Sequence, residues 1–463
     1  MAELGEEVEI ERGVAASLPS NGRKRRTLSP PWVEAKDGFP SVDAPLQARE
    51  NVGVVVALGR MLSSVRASSS AMSLRVLICL AVLEATIPAA SAAPFVPESD
   101  NQVLERLPFA PDNPVLRKLR ALSGQLTRAP NNLPLAIMVA QGYGELGRIT
   151  GDPRYAGYAQ AALAPWWGFE RAPQEVLVLR AALHQRMHQF DLALADLATV
   201  LNTNPRNVQA RLTRATVQQV QGAYDQASNE CRVLQGLTQE LVSTACLANV
   251  NSVTGELRQS YELLRSVFAR NPVAEPRVRS WVLISLAEMA TRAGMAQEAE
   301  AHFRAALTVD PADYYVLGAY ADYLLYNGRP SEVLALLREK AAADPLLLRY
   351  ALALQVQRST ELPVYVEQLR DRFAASRLRG DRVHLREEAR FTLHLLNAPE
   401  EALKLALENW QVQKEPSDTR VLLEAALAAS DAATVAVVTD WLGNCRLEDV
   451  QLSRLMPATR RQG

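Results

Sequence analysis

This 463-residue chain has little that would mark a reaction centre. Its five histidines are His184, His188, His302, His384 and His394, and the last three lie in segments far apart, so no nucleophile has an obvious imidazole partner. The chain has no glycine-rich phosphate loop, no strand, Gly-rich turn and helix unit, and no Cys-x-x-Cys pair. Aromatic residues are only 6% of the total, which disfavours pleated sheets, where aromatic and β-branched side chains concentrate. Net charge is nearly absent: 50 basic residues stand against 51 acidic ones, a balance of −1. No global field would therefore draw the chain to nucleic acid or to an anionic membrane. The apolar run at 76–83 is far short of the roughly 20 residues that span a bilayer, so no stable membrane span is expected.

What is present is apolar and helical. Hydrophobic residues make up 48% and charged residues 22%, which excludes disorder as the main state, and the dominance of Ala and Leu predicts an all-α chain. Residues 72–92, MSLRVLICLAVLEATIPAASA, run from Arg75 through the apolar stretch to Ala90-Ser91-Ala92. That order resembles a secretory signal peptide cleaved after Ala92, although Glu84 raises the cost of insertion; the alternative is a short buried helix. The bulk of Ile78 ahead of Cys79 argues against lipid modification. The expected location is periplasmic or secreted, and cytoplasmic otherwise. Residues 1–71 lack helical periodicity and read as a disordered or untranslated leader, in which Arg23-Lys24-Arg25-Arg26 is a solvated charge cluster.

Five segments over about 174–345 can be laid over one another at roughly 34-residue spacing. The clearest has Leu283, Leu286 and Ala287 on one amphipathic stretch, Gly294 at a turn, Ala299, Phe303 and Ala306 on the next, and Pro311 after it. The small residues let two helices approach closely, Phe303 fills the space against the next unit, and Gly294 permits a tight turn. The following unit repeats this with Ala321, Gly328, Leu337 and Pro345, with Pro330 and Val333 departing from it. Upstream units show Ala181, Phe190, Ala193 and Pro205; Ala215, Gly222, Tyr224 and Ala227; and Ala248, Gly255, Leu264 and Pro272. Residues 131–173 form an atypical hairpin lengthened by Thr150-Gly151-Asp152-Pro153, so the array is expected to cover 131–345. Segment 93–130 is read as an N-terminal cap, and 346–463 as degenerate repeats and a C-terminal cap. About eight or nine hairpins follow from the spacing.

The pattern resembles that of tetratricopeptide repeat proteins, of an exported bacterial type. The resemblance implies a right-handed superhelical solenoid of antiparallel helix pairs whose first helices line a concave face that grips a peptide or partner protein. Mapped on that family, the concave positions are Gln185, Arg186, Gln219, Asn249, Ser252, Trp281, Glu288, Arg292, Tyr315, Asp322 and Tyr326. Amides could bond a peptide main chain there while Trp281 and Tyr315 give apolar contact. For any one of these residues, the plainer reading is a solvated helix position.

His184 and His188, four apart on one helix face, read as core or boundary histidines more readily than as metal ligands. Trp166-Trp167 reads as a plug between mismatched helices. Cys231 and Cys246 fall on the second helix of one unit and the first of the next; a disulfide and two separate buried thiols both remain open, with Cys445 unpaired. The expectation is a non-catalytic scaffold for a protein or peptide, with no cofactor. The alternative is a structural accessory subunit of a cell-envelope enzyme or transport complex.

Overall fold

The computed structural model describes residues 113–378 and 380–456. The expected leader at 1–71, the segment 72–92 expected to be a signal peptide and the first part of the expected capping segment lie outside the described residues, as does Cys79. Those described form helices and turns, with no strand among them. Helix α1 is Pro114–Arg128 and precedes the first antiparallel pair, α2 (Leu133–Thr150) with α3 (Arg154–Ala162). A short α4 (Ala164–Trp167) follows. The next pairs are α5 (Gln174–Arg186) with α6 (Phe190–Thr203), α7 (Val208–Val220) with α8 (Tyr224–Leu234), and α9 (Glu240–Asn251) with α10 (Leu257–Ala269). Then come α11 (Pro276–Arg292) with α12 (Ala296–Val309), α13 (Tyr314–Tyr326) with α14 (Pro330–Leu337), and α15 (Asp344–Val356) with α16 (Leu362–Leu378). The last pairs are α17 (Leu385–His394) with α18 (Pro399–Val412) and α19 (Pro416–Ala428) with α20 (Ala432–Cys445), closed by α21 (Val450–Leu455). Nine hairpins stand in tandem among the described residues.

One turn chemistry joins seven of these pairs. In the turn that follows the first helix one residue takes a left-handed conformation, at His188, Gly222, Gly255, Gly294, Gly328, Arg358 and Ser430. The next N–H then donates to the carbonyl five residues back, as from Met295 to Ala290 at 2.9 Å and from Arg329 to Leu324 at 2.9 Å. This closes carbonyls that a helix end leaves without partners. Helix starts are fixed by proline in the first turn, at Pro276, Pro345, Pro399 and Pro416 for example, and by Asn207, Asp313 and Asp431 as side-chain caps.

The residues singled out in the repeats are the core. Ala181, Ala193, Ala227, Leu264, Ala287, Ala299, Ala306 and Ala321 are fully buried. Phe303 packs on Tyr320 and Tyr323 of the next hairpin, with ring centroids 5.3 and 5.6 Å apart. Val333 is fully buried in the space where the pattern would put a smaller residue. The core runs on as linked clusters from α1 to α21, because each hairpin can bury its apolar stripes only against its neighbours.

First helices touch one another in succession from α5 to α21, so the array curves toward them. The curve is tight enough for the chain to meet itself. Helix α2 touches α13, the ring of Tyr314 lies against Gly151, and Arg148 pairs with Asp313 and, at 3.4 Å, with Asp310. Further along, the Lys414 N–H donates to the Val220 carbonyl at 2.7 Å, and the Leu257 N–H donates to Glu448 at 3.0 Å. Arg454 donates to the Tyr326 hydroxyl at 2.9 Å. Hairpin turns of the first spiral turn thus meet the connections between hairpins of the second. The inner face is an interior, not an open trough.

Candidate functional site

Two cavities occupy that interior. The smaller, about 220 Å³, lies between α7, α9, α11 and α13 on one side and α15, α17, α19 and α21 on the other. The larger, about 460 Å³, is lined mainly from α5, α7, α9, α11 and α13. Gln219, Asn249, Glu288, Tyr315 and Glu415 line both and form a polar waist between them.

Of the eleven concave positions, Gln219, Asn249, Ser252, Glu288, Arg292, Tyr315 and Asp322 line the smaller cavity. Arg186 and Trp281 line the larger one. Tyr326 lies apart, with the guanidiniums of Arg420 and Arg454 over its ring at 5.1 and 5.5 Å. Gln185 is half-buried and lines neither cavity. Tyr315 is 48% exposed, and it lines both cavities at the waist.

Several of these residues are committed to the fold. Arg292 is buried and donates to the Ser252 carbonyl at 2.6 Å and to the Ser252 hydroxyl at 2.8 Å. Burial lowers its pKa, which the acids Asp449 and Glu288 only partly offset. Asp322 accepts from Arg349 at 2.5 Å and from Arg390 at 2.6 Å. Burial works against its charge, and the two guanidiniums overcome this and hold its carboxyl below the usual range. Glu288 accepts from the Tyr315 hydroxyl at 2.7 Å, while burial pushes the Glu288 carboxyl up. The neighbouring Glu288 charge, with burial, raises the Tyr315 phenol. By contrast, the Trp281 indole N–H and the Gln219 amide make no side-chain hydrogen bond among the described residues.

The second spiral turn brings residues that the repeat register does not reveal. Arg386 donates to Ser417 at 2.7 Å and lies 3.1 Å from Glu387, 3.5 Å from Glu415 and 3.4 Å from Asp418. Glu387 is held down to about 2, since Arg386 and Arg349 outweigh its burial. Glu415 is pushed up to about 7 by burial and by the Asp418 charge, against the pull of Arg386. Arg420 bridges to Glu424 at 2.7 Å, and His394 lies 3.0 Å from the same carboxylate. Glu424 sits near 2, because the His394 bond and Arg420 exceed the cost of burying it. A signal for these groups exists in the sequence: Arg386, Arg390 and Arg420 sit on first helices, where the fold presents side chains inward.

The histidine pair does not share a helix face. His184 belongs to α5, bonds Gln189 at 2.7 Å and packs on Trp167 at 5.3 Å. His188 lies past the helix end at a φ of 54° and stacks on Phe190 at 5.5 Å. Among the described residues, no three His, Cys, Asp or Glu side chains converge as metal ligands. Trp166 and Trp167 are half-buried against the N-terminal core, and Arg180 lies over Trp167. Cys231 and Cys246 are joined across α8 and α9, with Cα atoms 5.5 Å apart, and Cys445 is free. No helix among the described residues is long and apolar enough to cross a membrane.

No family model matches the chain, and no curated protein matches it. Among solved structures it is similar to a tetratricopeptide repeat protein from Parabacteroides merdae, at 13% identity and a TM-score of 0.24, covering 67% of this chain and 92% of that one. It is also similar to yeast Tom70, at 15% identity and a TM-score of 0.26, covering 70% and 62%. The TPR domain of P58(IPK) matches at 15% identity and a TM-score of 0.21, covering 64% and 99%.

Proposed function

We propose that this chain is a non-catalytic protein-interaction scaffold that takes a short peptide segment of its partner into the spiral interior. One observation carries the reading: uncommitted side chains, the Trp281 indole and the Gln219 amide, face a 460 Å³ cavity walled by the first helices. That volume is in the range of small-ligand sites, and its mix of aromatic walls with a few polar groups is what orients a bound segment. The closure of the interior by the second spiral turn favours a short segment over an extended one. Crosslinking and affinity purification from the native host test it. A partner should be recovered with the natural protein and lost with Trp281→Ala plus Tyr315→Ala; equal recovery with both proteins would defeat the reading.

Export to a bacterial periplasm belongs to the same proposal. The segment 72–92 supports it, as does a disulfide, which persists in oxidising compartments. Mass spectrometry of the natural protein should find a mature start at Ala93 and no free thiol at Cys231 or Cys246. An intact Met1 terminus with both thiols free would count against export.

A second reading, as a brace in a cell-envelope assembly, rests on Leu192, Val233, Leu263, Leu407 and Val437. All are at least 36% exposed, and all sit on second helices, which form the outer layer. A large constitutive interface on that layer would favour it.

A further inference from the structure

Three arginines line the larger cavity, Arg148, Arg186 and Arg277, and two of them are committed. Arg148 pairs with Glu145 at 2.9 Å, with Asp310 at 3.4 Å and with Asp313, and Arg277 pairs with Glu145 at 2.5 Å. Arg186, the last residue of α5, makes no ion pair and no hydrogen bond among the described residues. Glu145 is the one carboxylate that acts on it, and the other two arginines already hold that group. Burial works against the Glu145 charge, and the three guanidiniums around it overcome this and keep its carboxyl below the usual range. The cavity's own acids are engaged elsewhere: Asp313 with Arg148 and as the cap of α13, Glu288 with the Tyr315 hydroxyl, and Glu415 with Arg386.

Packing, not bonding, sets the place of the Arg186 guanidinium. Its Nη2 stands 3.2 Å from where a Cβ on Gly147 of α2 would lie, so the bare backbone of that buried glycine makes the room it occupies. Its other neighbour is Tyr314 of α13, whose hydroxyl likewise makes no hydrogen bond among the described residues. Burial raises the Tyr314 phenol, which keeps it a donor at neutral pH. Two donors without acceptors thus stand together in the cavity wall, where such groups are ordinarily bonded. Burial, with Arg148 adding to it, lowers the Arg186 guanidinium against the pull of Tyr314 and Glu145, and an arriving anion would reverse that shift.

We propose that the larger cavity takes an acidic side chain, an aspartate or glutamate of the partner segment, its carboxylate held by the Arg186 guanidinium with the Tyr314 hydroxyl as a second donor. This rests on the reading that the interior is the working surface, and it adds the charge of the group recognised. A guanidinium presents paired donors that match the two oxygens of a carboxylate. One unpaired positive charge balances one negative charge, which favours a carboxylate over a phosphate, whose charge is larger. As a cation at a helix C-terminus Arg186 also favours α5 itself, a structural role that would act alike on every ligand.

Isothermal titration of the full chain with acetylated, amidated tetrapeptides tests this, one bearing glutamate and its match bearing glutamine, alongside inorganic phosphate and a peptide whose only carboxylate is its free C-terminus. The glutamate peptide should bind at least about tenfold tighter than its match, the difference expected of a charge-assisted bond. Arg186→Gln should abolish that preference and leave the affinity for the glutamine peptide unchanged, while Arg186→Lys should keep part of it. Tyr314→Phe, which removes only the hydroxyl, should narrow the preference at least about threefold. Thermal melts establish which variants are folded, and Tyr314→Phe carries the test if Arg186→Gln is not. A preference unchanged in every folded variant would overturn the assignment, and affinity lost for both peptides alike would return Arg186 to a structural role. No preference for glutamate in the parent, or no binding by any peptide, would also overturn it. Phosphate or the free C-terminus binding as tightly would reassign the site to an inorganic anion or a chain end. In each of these failures, partner recovery dependent on Trp281 and Tyr315 still decides the scaffold reading.

Discussion

At the scale of single residues, two side chains carry distinct consequences. Phe303 is among the largest fully buried side chains and joins two hairpins through its contacts with Tyr320 and Tyr323. Phe303→Ala leaves a cavity between units that neither can collapse to fill, so it should cost about 3–5 kcal/mol by denaturant unfolding. A cost under about 1 kcal/mol would mean that the hairpins do not depend on this contact. Glu415 acts through pH. Its carboxyl ionises near 4.5 when unconstrained and near 7 in the fold, so between those values the folded chain holds a proton that the unfolded chain has lost. That contribution to stability is lost as pH rises through the window. Asp418 on its own helix, Arg386 and Glu387 on α17 and Glu288 on α11 are the charges that face it. His188, lowered to about 4 chiefly by burial, acts in the opposite sense as pH falls below 6.5, so the difference between parent and variant is the measurement. Glu415→Gln should gain melting temperature relative to the parent on going from pH 5 to pH 8; an unchanging difference would contradict the raised carboxyl.

At the scale of elements, the hairpin turn offers a matched comparison. Gly255 and Gly328 occupy the same left-handed position, with φ of 91° and 68°. A Cβ at Gly328 would meet nothing within 4 Å, whereas at Gly255 it would stand 3.0 Å from the Arg446 Cβ of the second spiral turn. Gly328→Ala should cost about 1–2 kcal/mol for backbone conformation alone. Gly255→Ala should cost more, by the contact between spiral turns, and equal costs in chemical denaturation would show that contact to be absent. The existence of these elements was legible in the sequence. Alanines at 287 and 299, glycines at 222, 255, 294 and 328, and Phe303 state their spacing and packing directly, because each task is local to one hairpin and its neighbour. Non-glycine turns at Arg358 and Ser430 hid the later units, since the same backbone was built there without its usual residue. His188 shows the same effect: a four-residue spacing suggested one helix face, but the helix ended first.

At the scale of the whole molecule, the sequence was silent. How far a solenoid advances per turn depends on small angles summed over five or six hairpins, and no residue pattern of one unit records that sum. Lys414 meeting Val220, Glu448 meeting Leu257, and Arg386 reaching the interior are its products. The joint between spiral turns consists largely of single hydrogen bonds and ion pairs, including Arg277 to Glu145 at 2.5 Å, whereas neighbouring hairpins share a continuous apolar core. Such a joint should open at lower free energy than the hairpins unfold. Native-state hydrogen exchange should show the Lys414 and Leu257 amides exchanging well ahead of Leu286 and Ala287, and matched protection at all four would mean that the two turns open only with global unfolding.

The meeting of Gly222, Gly255 and Gly294 with Lys414, Arg446 and Val450 works as a vernier, three marks on one scale aligned with three on another. Insertion or loss of one hairpin between them would rotate every later mark by a fraction of a revolution and misalign all three at once. An ordinary solenoid can grow or shrink by one unit at little cost; this one has a length tied to its circumference, so its repeat number is fixed by geometry as firmly as its sequence is by packing.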